Sequence, residues 1–248
     1  MKLTFLGTRG NIAARSSVHR MHSSVMVSGR SGRVLIDYGA DWLGRVPPLH
    51  PAGLFVTHAH PDHVGGLRWG SGCAVYATAD TWEHMARWPL PDRRVLRPRY
   101  PIVVAGLQVE AWPVEHAVNA PAVGYRVSAG GVGIFYVPDI ARLPDPSRAL
   151  SGVDLYVGDG ATMARPLVRR RGSALIGHTT IGTQLSWCAA AGVRRAIFTH
   201  CGSGIVGADP GRIEERIRAM GRSCGAEAHV AHDGMVIHIR RTPGREAR

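Results

Sequence analysis

Leu54-Phe55-Val56-Thr57-His58-Ala59-His60-Pro61-Asp62-His63-Val64-Gly65-Gly66 decides the reading of this chain: an apolar strand runs straight into four metal-binding side chains within six residues. Alternation along extended backbone puts His58 and His60 on one side, about 7 Å apart along the chain, close enough to share an ion. Pro61 then turns the chain, so that Asp62 and His63 can face a second ion. Three histidines and a carboxylate suit zinc, with manganese or iron as alternatives. Chance histidines in a polar loop are a poor explanation for ligand-type residues at four of six positions.

Outward from this segment, strands dominate. Glycine-punctuated β-type runs are expected at Lys2–Leu6, Ser23–Ser28, Arg33–Asp37, Gly53–Thr57 and Ala74–Ala77, followed by a helix at Thr81–Trp88 that Pro89 stops. Further strands are expected at Ile102–Val104, Leu107–Pro113, Ala122–Ser128, Val132–Val137 and Val153–Val157. The last third reads as a helix at Ile181–Ala191 closed by Gly192, a strand at Arg195–Thr199, a helix at Pro210–Met220 and strands at Ala226–Ala231 and Met235–Ile239. Two strand-rich halves that each end in helices imply two central sheets covered by helices on both outer faces. One domain over residues 1–241 is expected, with an arginine-rich, disordered tail at 242–248.

Composition narrows the class. The chain has 248 residues, 45% of them hydrophobic, enough for a substantial core. No window approaches the roughly 18 apolar residues of a membrane helix. The opening residues lack a secretory apolar region, so a cytoplasmic protein with no membrane partner is expected. Four scattered cysteines, Cys73, Cys188, Cys201 and Cys224, form no C-x-x-C pair and read as reduced, mostly buried thiols. The net charge of +12 points to an anionic partner, nucleic acid included, unless arginine usage merely reflects a bias. The clusters are Arg93, Arg94, Arg97 and Arg99, then Arg165 with Arg169 to Arg171, and the tail Arg240, Arg241, Arg245 and Arg248.

The H-x-H-x-D-H segment resembles the signature of the metallo-β-lactamase superfamily. That resemblance implies a four-layer αββα sandwich of the α/β (α+β) class and further ligands at the ends of later strands. His116 follows Leu107–Pro113, Asp139 follows Gly133-Ile134-Phe135-Tyr136-Val137-Pro138, and His200 follows Ala196-Ile197-Phe198-Thr199. The resemblance covers nearly the whole chain, from Leu3-Thr4-Phe5-Leu6-Gly7-Thr8 and Leu35-Ile36-Asp37-Tyr38-Gly39 to Asp233-Gly234-Met235-Val236-Ile237. It implies one ion on His58, His60 and His116, a second on Asp62, His63 and His200, and Asp139 bridging two divalent metal ions. The nucleophile would then be a hydroxide shared by the ions rather than a side chain. Asp37 is a candidate to orient a ligand histidine from behind, or an ordinary strand-end carboxylate.

Gly177-His178-Thr179-Thr180, ahead of a helix, resembles the G-H-[ST]-[ST] element of the phosphodiesterase branch, which includes RNase Z and the small phosphodiesterase of the carbon-phosphorus lyase pathway. The resemblance makes His178 a general acid or phosphate donor and, with Asp62, a catalytic residue. The alternative is a helix-start residue capped by Thr179. RNase Z commonly carries a long tRNA-gripping arm between the ligands matching His116 and Asp139, but only 22 residues separate them here, and no other basic insertion is obvious. The carbon-phosphorus lyase enzyme has a cysteine zinc site where this chain has His19, Arg20, Met21 and His22 and no cysteine, and these two histidines read as surface residues, with a vestige of that site as the alternative.

The expected activity is therefore a binuclear metal-dependent phosphodiesterase acting on small phosphodiesters or nucleotide ends. A lactonase or β-lactamase acting on carbonyls and a tRNA 3′-processing endonuclease are the alternatives, since fold and metals do not separate these chemistries. A non-catalytic nucleic-acid-binding protein would have no need of seven ligand-type residues, and a flavodiiron oxidoreductase would want a flavin domain. The sequence points to no dimer interface, although a homodimer is common in such proteins.

Overall fold

Alternation along the strands decides the layers. The computed structural model describes residues 1–45 and 50–240; the expected arginine-rich tail lies outside the described residues. The chain runs β1 (Lys2–Gly7), β2 (Ser24–Ser28), β3 (Arg33–Ile36), β4 (Leu54–Phe55), α1 (Pro61–Val64), β5 (Val75–Thr78), α2 (Ala79–His84), β6 (Arg93–Leu96), β7 (Ile102–Val104), β8 (Leu107–Val114), β9 (Ala122–Ala129) and β10 (Val132–Tyr136). It continues through α3 (Pro146–Ala149), β11 (Leu155–Asp159), β12 (Leu167–Arg171), β13 (Ala174–His178), α4 (Ile181–Ala190), β14 (Arg195–Thr199), α5 (Ser203–Val206), α6 (Pro210–Ser223), β15 (Glu227–Val230) and β16 (Val236–His238).

One seven-stranded sheet has the order β16-β1-β2-β3-β4-β5-β6 and the other β15-β14-β11-β10-β9-β8-β7. In β10 and β11, Ile134, Tyr136, Leu155 and Val157 face the opposing sheet, where they meet Phe5, Val25, Ile36 and Phe55. The intervening Phe135, Val137 and Tyr156 face away and pack with Ile181 and Leu185 of α4 and Ile213 and Ile217 of α6. A third cluster puts Trp82 of α2 with Leu35, Leu54 and Val75 on the outer face of the first sheet. Strands buried on both faces explain why these runs are apolar without alternation in the sequence. The result is the expected four-layer αββα sandwich.

Strand direction then gathers the site at one edge. β10, β11, β14 and β15 pair in parallel, as do β3, β4, β5 and β6. β8 and β10 both run antiparallel to β9 between them, so β8 shares the direction of β10. The residues just past β3, β4, β8, β10 and β14, namely Asp37, His58, His116, Asp139 and His200, therefore emerge on one side of the sandwich.

Four expectations change. The helix expected at Thr81–Trp88 is α2, which starts two residues earlier because Thr78 caps it through Thr81 N, and ends four residues earlier at His84, well before Pro89. β6 was not expected; it is an edge strand whose first three residues are exposed, so no apolar run marks it. His19 and His22 are buried, at 4% and 8% exposure, rather than on the surface. The Thr8 hydroxyl lies 2.8 Å from His19 Nδ1 and donates to Asp233 at 2.7 Å, while His22 Nε2 is 2.9 Å from the Arg9 guanidinium, itself paired with Asp41. Asp233 and Asp41 lie outside the local stretch, so nothing near His19 and His22 in the chain marks them as buried. Finally, a basic hairpin does exist: among the described residues β12 and β13 pair only with each other, and β12 carries Arg169 to Arg171.

Candidate metal centre

The backbone turns sharply where the ligand-type residues begin. His60 is extended, at φ −72° and ψ 147°, and Pro61 starts α1, which carries Asp62 and His63 inward. Gly39 permits this packing: a Cβ there would lie 1.8 Å from the Asp62 carbonyl oxygen. Asp37 and His200 hold left-handed backbone at φ 62° and 54°. Such non-glycine positions cost about 1 kcal/mol each and collect at functional sites.

All seven expected metal-site residues converge, in two overlapping groups that share Asp139. His58, His60, His116 and Asp139 form one, and Asp62, His63, Asp139 and His200 the other, with ligand atoms of each group within 4.8 Å of one another. His58 Nε2 lies 3.0 Å from His60 Nδ1, and His116 Nε2 lies 3.3 Å from that same atom. Asp139 Oδ2 is 3.1 Å from His58 Nε2 and 2.9 Å from His63 Nε2, and Asp139 Oδ1 is 2.8 Å from His200 Nδ1. His200 Nε2 is 3.0 Å from Asp62 Oδ2.

The outer ring nitrogens show which atoms face inward as lone pairs. His63 Nδ1 donates to Asp37 Oδ2 at 2.8 Å, and His116 Nδ1 donates to the Gly177 carbonyl at 3.1 Å. The Thr57 hydroxyl donates to Asp37 and so accepts from His58 Nδ1 at 3.0 Å. Asp37 thus stands behind His63, in the orienting position considered for it, and also accepts Thr57 N–H at 2.8 Å. Four inward atoms, Asp62 Oδ1, His63 Nε2, Asp139 Oδ1 and His200 Nδ1, are buried without a hydrogen-bond partner. They belong to the residues of the second group and meet one another only as close contacts without hydrogen-bond geometry, and a cation there would supply the partner that buried polar atoms nearly always have. The nitrogen and carboxylate donor set fits zinc-like divalent ions.

The electrostatics call for positive charge. Burial alone would raise the Asp62 and Asp139 pKa values, yet neighbouring histidines, His63 and His200 for both, hold each below the ordinary carboxylate range. In the other direction, burial would lower His200, but Asp139 and Asp62 push it up to about 10. Protons on these imidazoles occupy the electrostatic role that divalent cations would take.

His178 ends β13, with its Nδ1 2.8 Å from Asp159 Oδ2 and 3.6 Å from Asp139 Oδ1. It is not the first residue of a capped helix: Thr180, not Thr179, caps α4 by accepting from Thr183 N. Asp159, at the end of β11, escaped the sequence reading because Tyr156-Val157-Gly158-Asp159 carries no ligand-type spacing. Its carboxylate also accepts from Ile140 N at 3.0 Å and Ala161 N at 2.7 Å. Although Asp159 and His178 fall in a third group with Asp139 and His200, these three donors occupy the Asp159 oxygens, making it an anchor for His178. Behind it, buried Gln184 accepts Asp159 N–H at 2.8 Å and returns its amide to the Asp159 carbonyl at 2.8 Å. Burial lowers the His178 pKa and the Asp159 carboxylate more than offsets this, leaving it above the usual histidine value.

Gly177 ties this hairpin to the centre. Its N–H donates to the His116 carbonyl at 2.8 Å, and at φ 105° a Cβ would meet the Leu167 carbonyl oxygen at 1.9 Å. Glycine at 177 thus permits the close backbone approach that holds His178 beside the centre.

Comparison with known proteins places the chain in a family. Coenzyme PQQ synthesis protein B of Methylobacterium sp. (strain 4-46) is 28% identical over 238 aligned residues, covering 78% of each chain. The zinc-bound PqqB of Methylobacterium extorquens superposes with a TM-score of 0.69 at 20% identity, over 96% of this chain and all of that one. A diphosphatase of the PhnP family gives a TM-score of 0.71 at 21% identity, over 96% of this chain and 98% of that one. Among the described residues no helix is long and apolar enough to cross a membrane. The Beta-lactamase superfamily domain matches residues 32–201, which include all seven convergent ligand-type residues, and the chain belongs to that family.

Proposed function

We propose that this protein is a binuclear metal-dependent phosphodiesterase acting on small phosphodiesters or nucleotide ends. The observation that carries the reading is His178, held by Asp159 at 2.8 Å and set beside the Asp139–His200 side of the centre. Two divalent cations, zinc foremost, would be held by His58, His60, His116, Asp62, His63 and His200 with Asp139 between them, and would supply an activated water and neutralise phosphoryl charge.

The chain's own residues do the rest. Asp159 fixes the His178 ring through Nδ1, which leaves Nε2 to exchange a proton with the substrate. The Asp159 carboxylate favours the protonated ring against the pull of burial, so His178 is suited to hold a proton for a departing alkoxide. Carbonyl hydrolysis has less need of such a donor, which favours the phosphodiester over the lactone. Only β9, β10 and their connections lie between His116 and Asp139, which favours small diesters over folded tRNA. The likeness to a zinc-bound structure supports the metal, and the likeness to a PhnP-family diphosphatase supports chemistry at phosphorus.

Elemental analysis and hydrolysis of bis-p-nitrophenyl phosphate and of a dinucleotide by wild type, His178→Ala and Asp139→Ala test it. Two ions per wild-type chain, turnover lost in Asp139→Ala, and His178→Ala losing far more turnover on a dinucleotide, whose alkoxide needs a proton, than on bis-p-nitrophenyl phosphate, whose phenolate leaves without one, is the expected result; two ions with turnover only on lactones or thioesters overturns it. The 28% identity with the PQQ synthesis protein favours a second reading, a role in making that coenzyme, which complementation of a strain lacking that protein would decide.

A further inference from the structure

The β12–β13 hairpin turns one face toward a cavity of about 640 Å³ that opens beside the metal centre, lined by His60, His116, Val118, Leu167, Arg169 and Arg171 among others. Strand alternation puts Leu167, Arg169 and Arg171 on one face of β12. Arg170 points elsewhere: it does not line the cavity, and its charge acts on Glu115. The hairpin cannot drift from the centre, because Gly177 is hydrogen-bonded to His116 and Leu167 pairs with His178 in the register.

Arg169 and Arg171 are exposed, and among the described residues neither has an acidic partner, whereas Arg9, Arg15, Arg94, Arg99 and Arg142 all do. Two like charges two residues apart on one strand face repel unless an anion lies between or beyond them. Beside them Leu167 and Val118 are 58% and 48% exposed, an apolar wall without a cover. From the Leu167–His178 pair, Arg169 lies about 7 Å and Arg171 about 14 Å along the strand. That separation matches a second phosphoryl group about one nucleoside away from the scissile one.

We propose that Arg169 and Arg171 form an outlying anion subsite, with Val118 and Leu167 as its apolar wall, that selects small diesters bearing a second phosphoryl group. The cavity is the size of sites that take small molecules. This inference rests on the phosphodiesterase reading and adds its substrate class.

The test compares two esters with one leaving group, the p-nitrophenyl ester of thymidine 5′-phosphate with and without a 3′-phosphate, alongside bis-p-nitrophenyl phosphate. Wild type should prefer the 3′-phosphorylated ester by about tenfold in kcat/KM, the size expected of charge-assisted contacts that remain partly in water. Arg169→Ala/Arg171→Ala should abolish the preference and leave bis-p-nitrophenyl phosphate turnover within about twofold, while Arg170→Ala keeps the preference. Calorimetry on the zinc-loaded protein should show the same double variant losing about tenfold in affinity for thymidine 3′,5′-bisphosphate but not for thymidine 5′-phosphate. A preference retained in the double variant overturns the subsite alone. A wild type that prefers only an oligonucleotide ester overturns it in favour of a polynucleotide groove. A wild type that hydrolyses no diester at all, bis-p-nitrophenyl phosphate included, removes the phosphodiesterase reading beneath it.

Discussion

Asp37→Asn separates the orientation of a ligand from its identity. The Asp37 carboxylate is fully buried and accepts Thr57 N–H on Oδ1 and His63 Nδ1–H on Oδ2, each at 2.8 Å. Asparagine has the same shape and tolerates the left-handed backbone at φ 62°, so the fold is expected to survive. It has, however, one accepting and one donating end. If the oxygen stays on Thr57 N–H, the amide NH2 faces His63 Nδ1, which must then accept. The imidazole proton moves to Nε2, the atom 3.3 Å from Asp62 and 2.9 Å from Asp139, where it blocks a cation. Turned the other way, the NH2 meets Thr57 N–H, two buried donors face to face. Loss of such an orienting partner typically weakens metal binding by about 10- to 100-fold, or about 1.4 to 2.7 kcal/mol. Zinc titration against a competing chromophoric chelator, with circular dichroism to check the fold, reads this directly. The ion of the Asp62–His63–His200 group should weaken by that factor and the other should stay within about threefold. A folded variant that binds every ion with wild-type affinity refutes the argument.

Gly177→Ala should cost about 2 kcal/mol or more, because the new Cβ would lie 1.9 Å from the Leu167 carbonyl oxygen, and should lower turnover by displacing His178; denaturant unfolding and steady-state kinetics check both. Leu155→Ala empties a fully buried place between the sheets and should cost about 2 to 5 kcal/mol in urea unfolding, with metal content unchanged. His22 is held down to about 4, by burial first and by the Arg9 charge, against the pull of Asp41. A depressed histidine contributes stability that is present above its unfolded value of about 6.5 and is lost as pH falls toward 4, about 3 kcal/mol in all. Metal-free wild type should therefore lose about that much more stability than His22→Gln between pH 7.5 and 4, measured by urea unfolding, and parallel curves would show the argument wrong. Chelation should lower the Tm of the zinc-loaded protein, because only the folded chain brings the seven residues together, and an unchanged Tm would mean that no ion was bound there.

Much of this protein was legible along the chain because its information is local. His58, His60, Asp62 and His63 lie within one turn of chain, and the apolar runs that precede His116, Asp139 and His200 mark strands whose ends must fall at a sheet edge. The αββα layering follows from the same runs, since strands so apolar on both faces need cover on both. What the sequence left open depends on contacts across long separations. Asp159 became visible only when β11 lay beside β10 and α4 and its carboxylate met His178, Ile140 and Ala161. His19 and His22 read as surface residues until Asp233 and Asp41, remote in sequence, closed over them. The hairpin from Leu167 to His178 looks like a basic loop, because polar, exposed strands have no apolar signal, and only its pairing and the Gly177–His116 bonds reveal that its arginines face the site. Periodicity reports what a residue does with its neighbours in the chain; which charge meets which histidine is decided by the packing of elements that the chain itself keeps far apart.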